Sequence, residues 1–180
     1  MYGKKDKMHQ LGEVVIYTTY GICKIKEFRE LTLGGVTKRY YVLMPLGEEK
    51  TELTVPIDNP ITALRVHKLL SADEVTTILG QIASMEPYWI ENENERKKEF
   101  SDIIKNGNRF ETLRLIKSIR YHQIEIKDKN RKLHVCDETS MKEAEKLIFD
   151  EFSYVLNKNK SEIIDLINLE IANSLEEKSA

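Results

Sequence analysis

The hydrophobic period of the chain changes once, near residue 70, and that change bounds every fold open to it. Up to Val66 apolar and polar residues alternate over short runs bounded by glycine and proline, the period of half-buried strands. From Ser71 onward apolar residues recur at i, i+3, i+4 and i+7, the period of helices with one buried face. A single helical bundle or a single sheet is therefore excluded. The pattern predicts an α+β chain of two parts, a small β-barrel followed by an all-α helical bundle, and 180 residues are enough for both.

Five strand-sized runs precede the change: 14–17, 22–28 continued by 29–33, 38–44, 51–55 and 63–66. Gly21 lets the backbone turn after the first. Gly34-Gly35 tolerates positive φ at both positions and predicts a tight hairpin. Pro45 and Gly47 stop the return strand, and Pro56 stops the next. Five short strands, each closed by a turn, predict a small curled sheet or barrel over residues 9–68.

Ser71 and Glu74 have the capping-box spacing ahead of Val75, Ile78, Leu79 and Ile82, a one-sided helix that ends before Pro87. The chain's one tryptophan, Trp89, follows. Residues 91–99 carry no apolar side chain, which predicts an exposed helix projecting past its support. Phe100, Ile103 and Ile104 pack its far end, and Asn106-Gly107-Asn108 stops it. In the next helix, about 109–127, Leu115, Ile116, Ile119 and Ile126 project to one side. Arg114, Lys117 and Tyr121 share the other, with Arg120 beside them. After a polar loop, Asp137 is the expected N-cap of a helix striped by Met141, Ala144, Ile148, Phe152 and Val155. Ser161 is the expected cap of a last one carrying Ile163, Ile164, Leu166, Ile167 and Ile171. The helical part spans 71–175.

The formal net charge of -2 conceals an uneven layout, with 12 Lys and Arg against 5 Asp and Glu in residues 96–132. That excess points to an acidic partner, nucleic acid included. Catalytic chemistry finds no footing. The four histidines show no metal spacing, no phosphate-cradling glycine loop is present, and no carboxylate sits among apolar residues where its pKa would rise. No enzyme activity and no cofactor are expected. Cys23 and Cys136 match no metal or redox spacing, which fits unpaired thiols in a reducing cytoplasm. No apolar run approaches the ~20 residues of a membrane span.

Leu11-Gly12-Glu13-Val14-Val15-Ile16-Tyr17, then Gly21, Tyr40-Tyr41-Val42-Leu43 and Thr54-Val55-Pro56 form a recognisable series. So do Glu86-Pro87 before Trp89, the stop at Asn106-Gly107-Asn108, Lys132-Leu133, Asp137-Glu138, Ala144-Glu145, Glu151 and Leu156. Over residues 9–157 the chain resembles the CarD (CdnL) family of bacterial transcription regulators, whose first module is shared with transcription-repair coupling factors. The resemblance implies a Tudor-like (SH3-like) barrel that binds the β subunit of RNA polymerase. It also implies a helical domain that contacts promoter DNA at the upstream bubble edge and stabilises the open complex. Carried over by motif, Trp89 is the minor-groove wedge, and Arg96, Lys97, Lys98, Arg114, Lys117 and Arg120 are the phosphate contacts, without strong sequence specificity. The polymerase contacts are Arg29, Leu31 and Leu33 with Leu53, Thr54 and Val55, placed at a sheet edge. A cytoplasmic, nucleoid-associated monomer is implied, with the last helix as a route to self-association.

Three features depart from the family pattern. Leu31 and Thr54 stand where some members place arginines. The interval from Trp89 to Gly107 is about one helical turn longer, an insertion that on a helix keeps the face and displaces Trp89 along the axis. Glu91, Glu93 and Glu95 lie beside the proposed wedge. Two readings of Trp89 stay open: its eleven-residue spacing from Phe100 buries it on one helical face, whereas the resemblance holds it out at the end of a polar helix. The competing function is a barrel-plus-helix adaptor that binds a protein partner without DNA.

Overall fold

The computed structural model describes residues 9–48, 50–59, 61, 65–127 and 129–179. They form two units that divide between Leu69 and Leu70. In the first, β1 (Val14–Tyr17), β2 (Gly21–Leu33), β3 (Val36–Pro45), β4 (Leu53–Pro56) and β5 (Val66–Lys68) make one antiparallel sheet in the order β4-β3-β2-β1-β5. Leu33 opposes Val36, and the two residues between them, Gly34 and Gly35, have φ of 59° and 79°. Both positions need left-handed backbone, so the predicted hairpin forms where only glycine adopts it without strain.

Alternation puts Val15, Cys23, Ile25, Leu43 and Val55 into one buried cluster. The β2–β3 register slips between Ile25 and Glu27, a bulge that adds bend to β2 and curls the sheet. The closing strand lies later than the sequence suggests. Residues 62–64 lie outside the described residues, and β5 pairs with β1 through Val66–Lys68. The architecture is the expected one, a barrel-like sheet followed by helices.

The second unit holds α1 (Ala72–Gln81), α2 (Glu93–Asn106), α3 (Arg109–Lys127), α4 (Val135–Leu156) and α5 (Lys160–Ser179). Both halves of the Ser71–Glu74 capping box are present, and Gly107 ends α2 at φ 65°. Ala144, Ile148 and Phe152 of α4 are buried in the core, with Met141 and Val155 packed at its margin. Three local expectations are corrected. His134 holds the N-cap position of α4, while Asp137 lies one turn inside and is buried. Asn159 caps α5 in place of Ser161, by a reciprocal pair with Glu162: each backbone N–H meets the other's side chain, at 2.9 and 3.0 Å. And α3 is not split into an apolar and a basic face. Thr112, Leu113 and every residue from Leu115 to Ile119 are buried, which makes α3 the central helix, its polar groups matched from within.

Candidate functional site

From Met85 to Ile90 the chain runs with neither helix nor strand, and Trp89 sits in this linker. The next helix starts late because Asn92 caps it. The Asn92 Oδ1 accepts the N–H groups of Asn94 and Glu95 at 3.0 and 3.1 Å. Trp89 is thus neither at the tip of a polar helix nor on the helical face of Phe100. Its ring is half-buried. Phe100 meets it edge-on at 6.1 Å, the His122 imidazole stacks on it at 3.6 Å and 13°, and the Arg96 guanidinium lies 4.6 Å from its centre.

Four of the six basic residues expected on phosphates are occupied inside the unit. Arg96 is 2% exposed and donates to both Asp137 oxygens at 2.9 Å, and to the carbonyls of Ile90 and Glu91. Its pKa is pushed up by the Asp137 carboxylate. Drawing Arg96 out to a phosphate would leave Asp137 buried and unpaired at a cost of about 3–5 kcal/mol. An exposed ion pair returns about 0–1 kcal/mol. Arg96 stays inside. Lys117 is fully buried and donates to the Ile82 and Ala83 carbonyls at 2.9 Å. Helix α1 has no basic residue in its last turn, so Lys117 supplies the cation that its negative end favours. These two placements correct the expectation that Arg96 and Lys117 touch DNA.

Arg114 donates to the Glu86 carbonyl at 2.9 Å and lies over the Tyr88 ring, whose hydroxyl pKa is pushed up to about 12 by burial. Ser118 accepts the Tyr88 N–H at 3.0 Å. Arg120 ties α3 to Glu145 at 2.8 Å and to Asn168. Arg96, Arg114, Lys117 and Ser118 together pin the main chain from Ile82 to Glu91, the segment that carries Trp89. Lys97 and Lys98 remain exposed, without an ion pair among the described residues.

The acidic run beside Trp89 has a local cause. Glu93 and Glu95 lie in the first turn of α2, where the exposed N–H groups favour negative charge by about 0.3–1 kcal/mol each. Glu93 also pairs with His134 at 3.3 Å. Their charge helps start the helix directly after the tryptophan.

A second basic group lies in the segment whose composition reads only as a polar loop. Lys127, Lys129, Arg131 and Lys132 are exposed and make no ion pair among the described residues. The turn is fixed by Asn130 at φ 54° and by the Arg131 N–H on the Ile126 carbonyl at 3.0 Å. One foot of this loop lies a turn beyond His122, which stacks on Trp89. The other leads into His134 and Asp137, which bind Glu93 and Arg96. The loop therefore stands at the Trp89 end of the unit. Four cations in the six positions from Lys127 to Lys132, between two helices, are the signal that the sequence offers for it.

In the sheet, the six expected polymerase contacts occupy two separate margins. Leu53, Thr54 and Val55 are on β4, an edge strand; Arg29, Leu31 and Leu33 are on β2, beyond the point where β1 stops pairing at Lys24. Val55 is buried and Leu53 packs on the core, so β4 offers main chain more than side chain. The Ile57 N–H bonds the Arg39 carbonyl, which fixes the parity of the β3–β4 ladder. Thr54, opposite Val42, then turns its N–H and C=O away from β3. Arg29 bonds Glu27 at 2.6 Å and reaches Glu52 at 3.3 Å, and Lys26 bonds Glu52 at 2.5 Å. Leu31 is exposed, and the Leu33 side chain lies outside the described part.

Among the described residues no His, Cys, Asp or Glu group can hold a metal, and no helix is long and apolar enough to cross a membrane. Residues 9–67 match the CarD-like/TRCF RID domain, a family of RNA polymerase-interacting protein-interaction domains. No curated protein matches the chain.

Proposed function

We propose that this chain, whose residues 9–67 are a CarD-like/TRCF RID domain, is a bacterial transcription regulator without catalytic turnover. The domain match is the observation that carries the reading. The β4 edge adds to a strand of the polymerase β subunit through the outward peptide groups at Thr54, and Leu31 and Arg29 flank it from β2. The helical unit contacts promoter DNA at the upstream edge of the bubble and stabilises the open complex. Lys97, Lys98 and the loop residues Lys129, Arg131 and Lys132 meet phosphates, so DNA affinity falls with salt and carries little sequence preference. The partly exposed Trp89 ring wedges at a base step. Arg96, Arg114 and Lys117 serve that wedge by holding its linker, and Arg120 by fixing α3. The protein works as a monomer alongside polymerase in the cytoplasm.

The test is a pull-down of the full chain on polymerase β, with Thr54→Pro beside wild type. Because the Thr54 N–H points out of the ladder, proline removes an edge donor and breaks no β3–β4 bond. Wild type is expected to bind, and Thr54→Pro to melt as wild type and lose binding. Equal retention of both proteins overturns the strand-pairing interface, and failure of wild type to bind overturns the polymerase reading itself.

A further inference from the structure

The stack of His122 on Trp89 goes beyond anything the wedge needs, and it places a titratable ring against the proposed DNA contact. The imidazole is 3.6 Å from the indole and nearly parallel to it, and its side chain is 22% exposed. Phe100 meets the indole only edge-on and the Arg96 guanidinium lies over it, so His122 supplies the flat ring that stacks on it.

We propose that His122 is a positioning residue for Trp89, its imidazole stacked on the indole so that the ring is held in place before DNA is met. The proposal rests on the DNA-wedge reading only for its consequence; the hold itself is visible without DNA.

Trp89 is the one tryptophan in the sequence, so its emission reports a single ring. The experiment measures emission and acrylamide quenching of the full chain at neutral pH for wild type, His122→Phe and His122→Ala. His122→Phe keeps a flat ring on the indole and should match wild type. His122→Ala should be red-shifted and more quenchable, with far-ultraviolet circular dichroism confirming that the helices stand. Emission and quenching of His122→Ala equal to wild type, or of His122→Phe equal to His122→Ala, overturns the proposal. A second arm adds a promoter duplex. If duplex leaves wild-type emission unchanged while the three proteins differ as stated, the DNA reading of Trp89 fails and the positioning role stands.

Discussion

Asp137→Ala is expected to cost the helical unit about 3–5 kcal/mol, because it strands a guanidinium in the core. Arg96 is 2% exposed, and Asp137 supplies two of its four hydrogen bonds, both at 2.9 Å; the other two go to the Ile90 and Glu91 carbonyls. Without the carboxylate, the arginine must either stay charged and unpaired or swing out and abandon both carbonyls. Either course loosens the linker next to Trp89, so urea denaturation and tryptophan emission should change together. Replacing the pair as a unit, Arg96→Met with Asp137→Leu, is expected to recover much of the stability, since an apolar pair leaves no buried charge. It should not recover the tryptophan environment, because methionine cannot hold the two carbonyls. A loss below about 1 kcal/mol in Asp137→Ala would place that pair among exposed ion pairs and contradict the burial described.

Glu151→Ala should cost a similar amount, about 3–5 kcal/mol, and leave Trp89 alone. Glu151 is fully buried, takes two hydrogen bonds from Arg109 at 2.7 and 2.9 Å, and accepts the Leu70 N–H at 3.0 Å. Arg109 in turn donates to the Gly107 carbonyl at 2.6 Å, at the C-terminal end of α2. Arg96 is in the first turns of the same helix, and some eleven residues at 1.5 Å each separate it from Gly107 by roughly 16 Å. The two ion pairs therefore lock opposite ends of α2. Below its denaturation midpoint, Glu151→Ala should keep wild-type tryptophan emission, whereas Asp137→Ala should not. Emission altered equally by both would mean that Trp89 is held by the unit as a whole rather than by the polar groups around its linker.

The elements legible in the sequence are those written in local chemistry. Gly34-Gly35 specifies its hairpin, Ser71 and Glu74 cap α1 reciprocally, Gly107 ends α2, and the period of Ala144, Ile148 and Phe152 marks the buried side of α4. The site is less legible because its bonds are long-range. Nothing in the spacing of Arg114 and Lys117 distinguishes a solvent-facing pair from one that reaches carbonyls about thirty residues upstream. Asp137 has the residue type of an N-cap, yet its partner is 41 residues away. The late start of α2 is readable. Asn92 followed three residues later by Glu95 is a helix-start spacing, and it moves Trp89 off the helix. The basic loop is hard to single out because its charges sit between helices, where a solvated turn and a phosphate-binding turn have one composition.

Trp89 and the cations at its end of the helical unit are expected to act on DNA while the sheet holds polymerase. The most direct measurement is the lifetime of the promoter open complex at saturating protein, for wild type, Trp89→Ala and the triple change Lys129→Ala, Arg131→Ala, Lys132→Ala. Polymerase binding is determined in parallel. Trp89→Ala is expected to shorten the lifetime with polymerase affinity unchanged. The triple change should also shorten it and should flatten its salt dependence by up to about 0.9 in log–log slope for each phosphate that the loop no longer neutralises. An open-complex lifetime equal to wild type for both variants at matched occupancy, with no salt dependence contributed by the protein, would contradict the claim and leave an adaptor that binds polymerase alone.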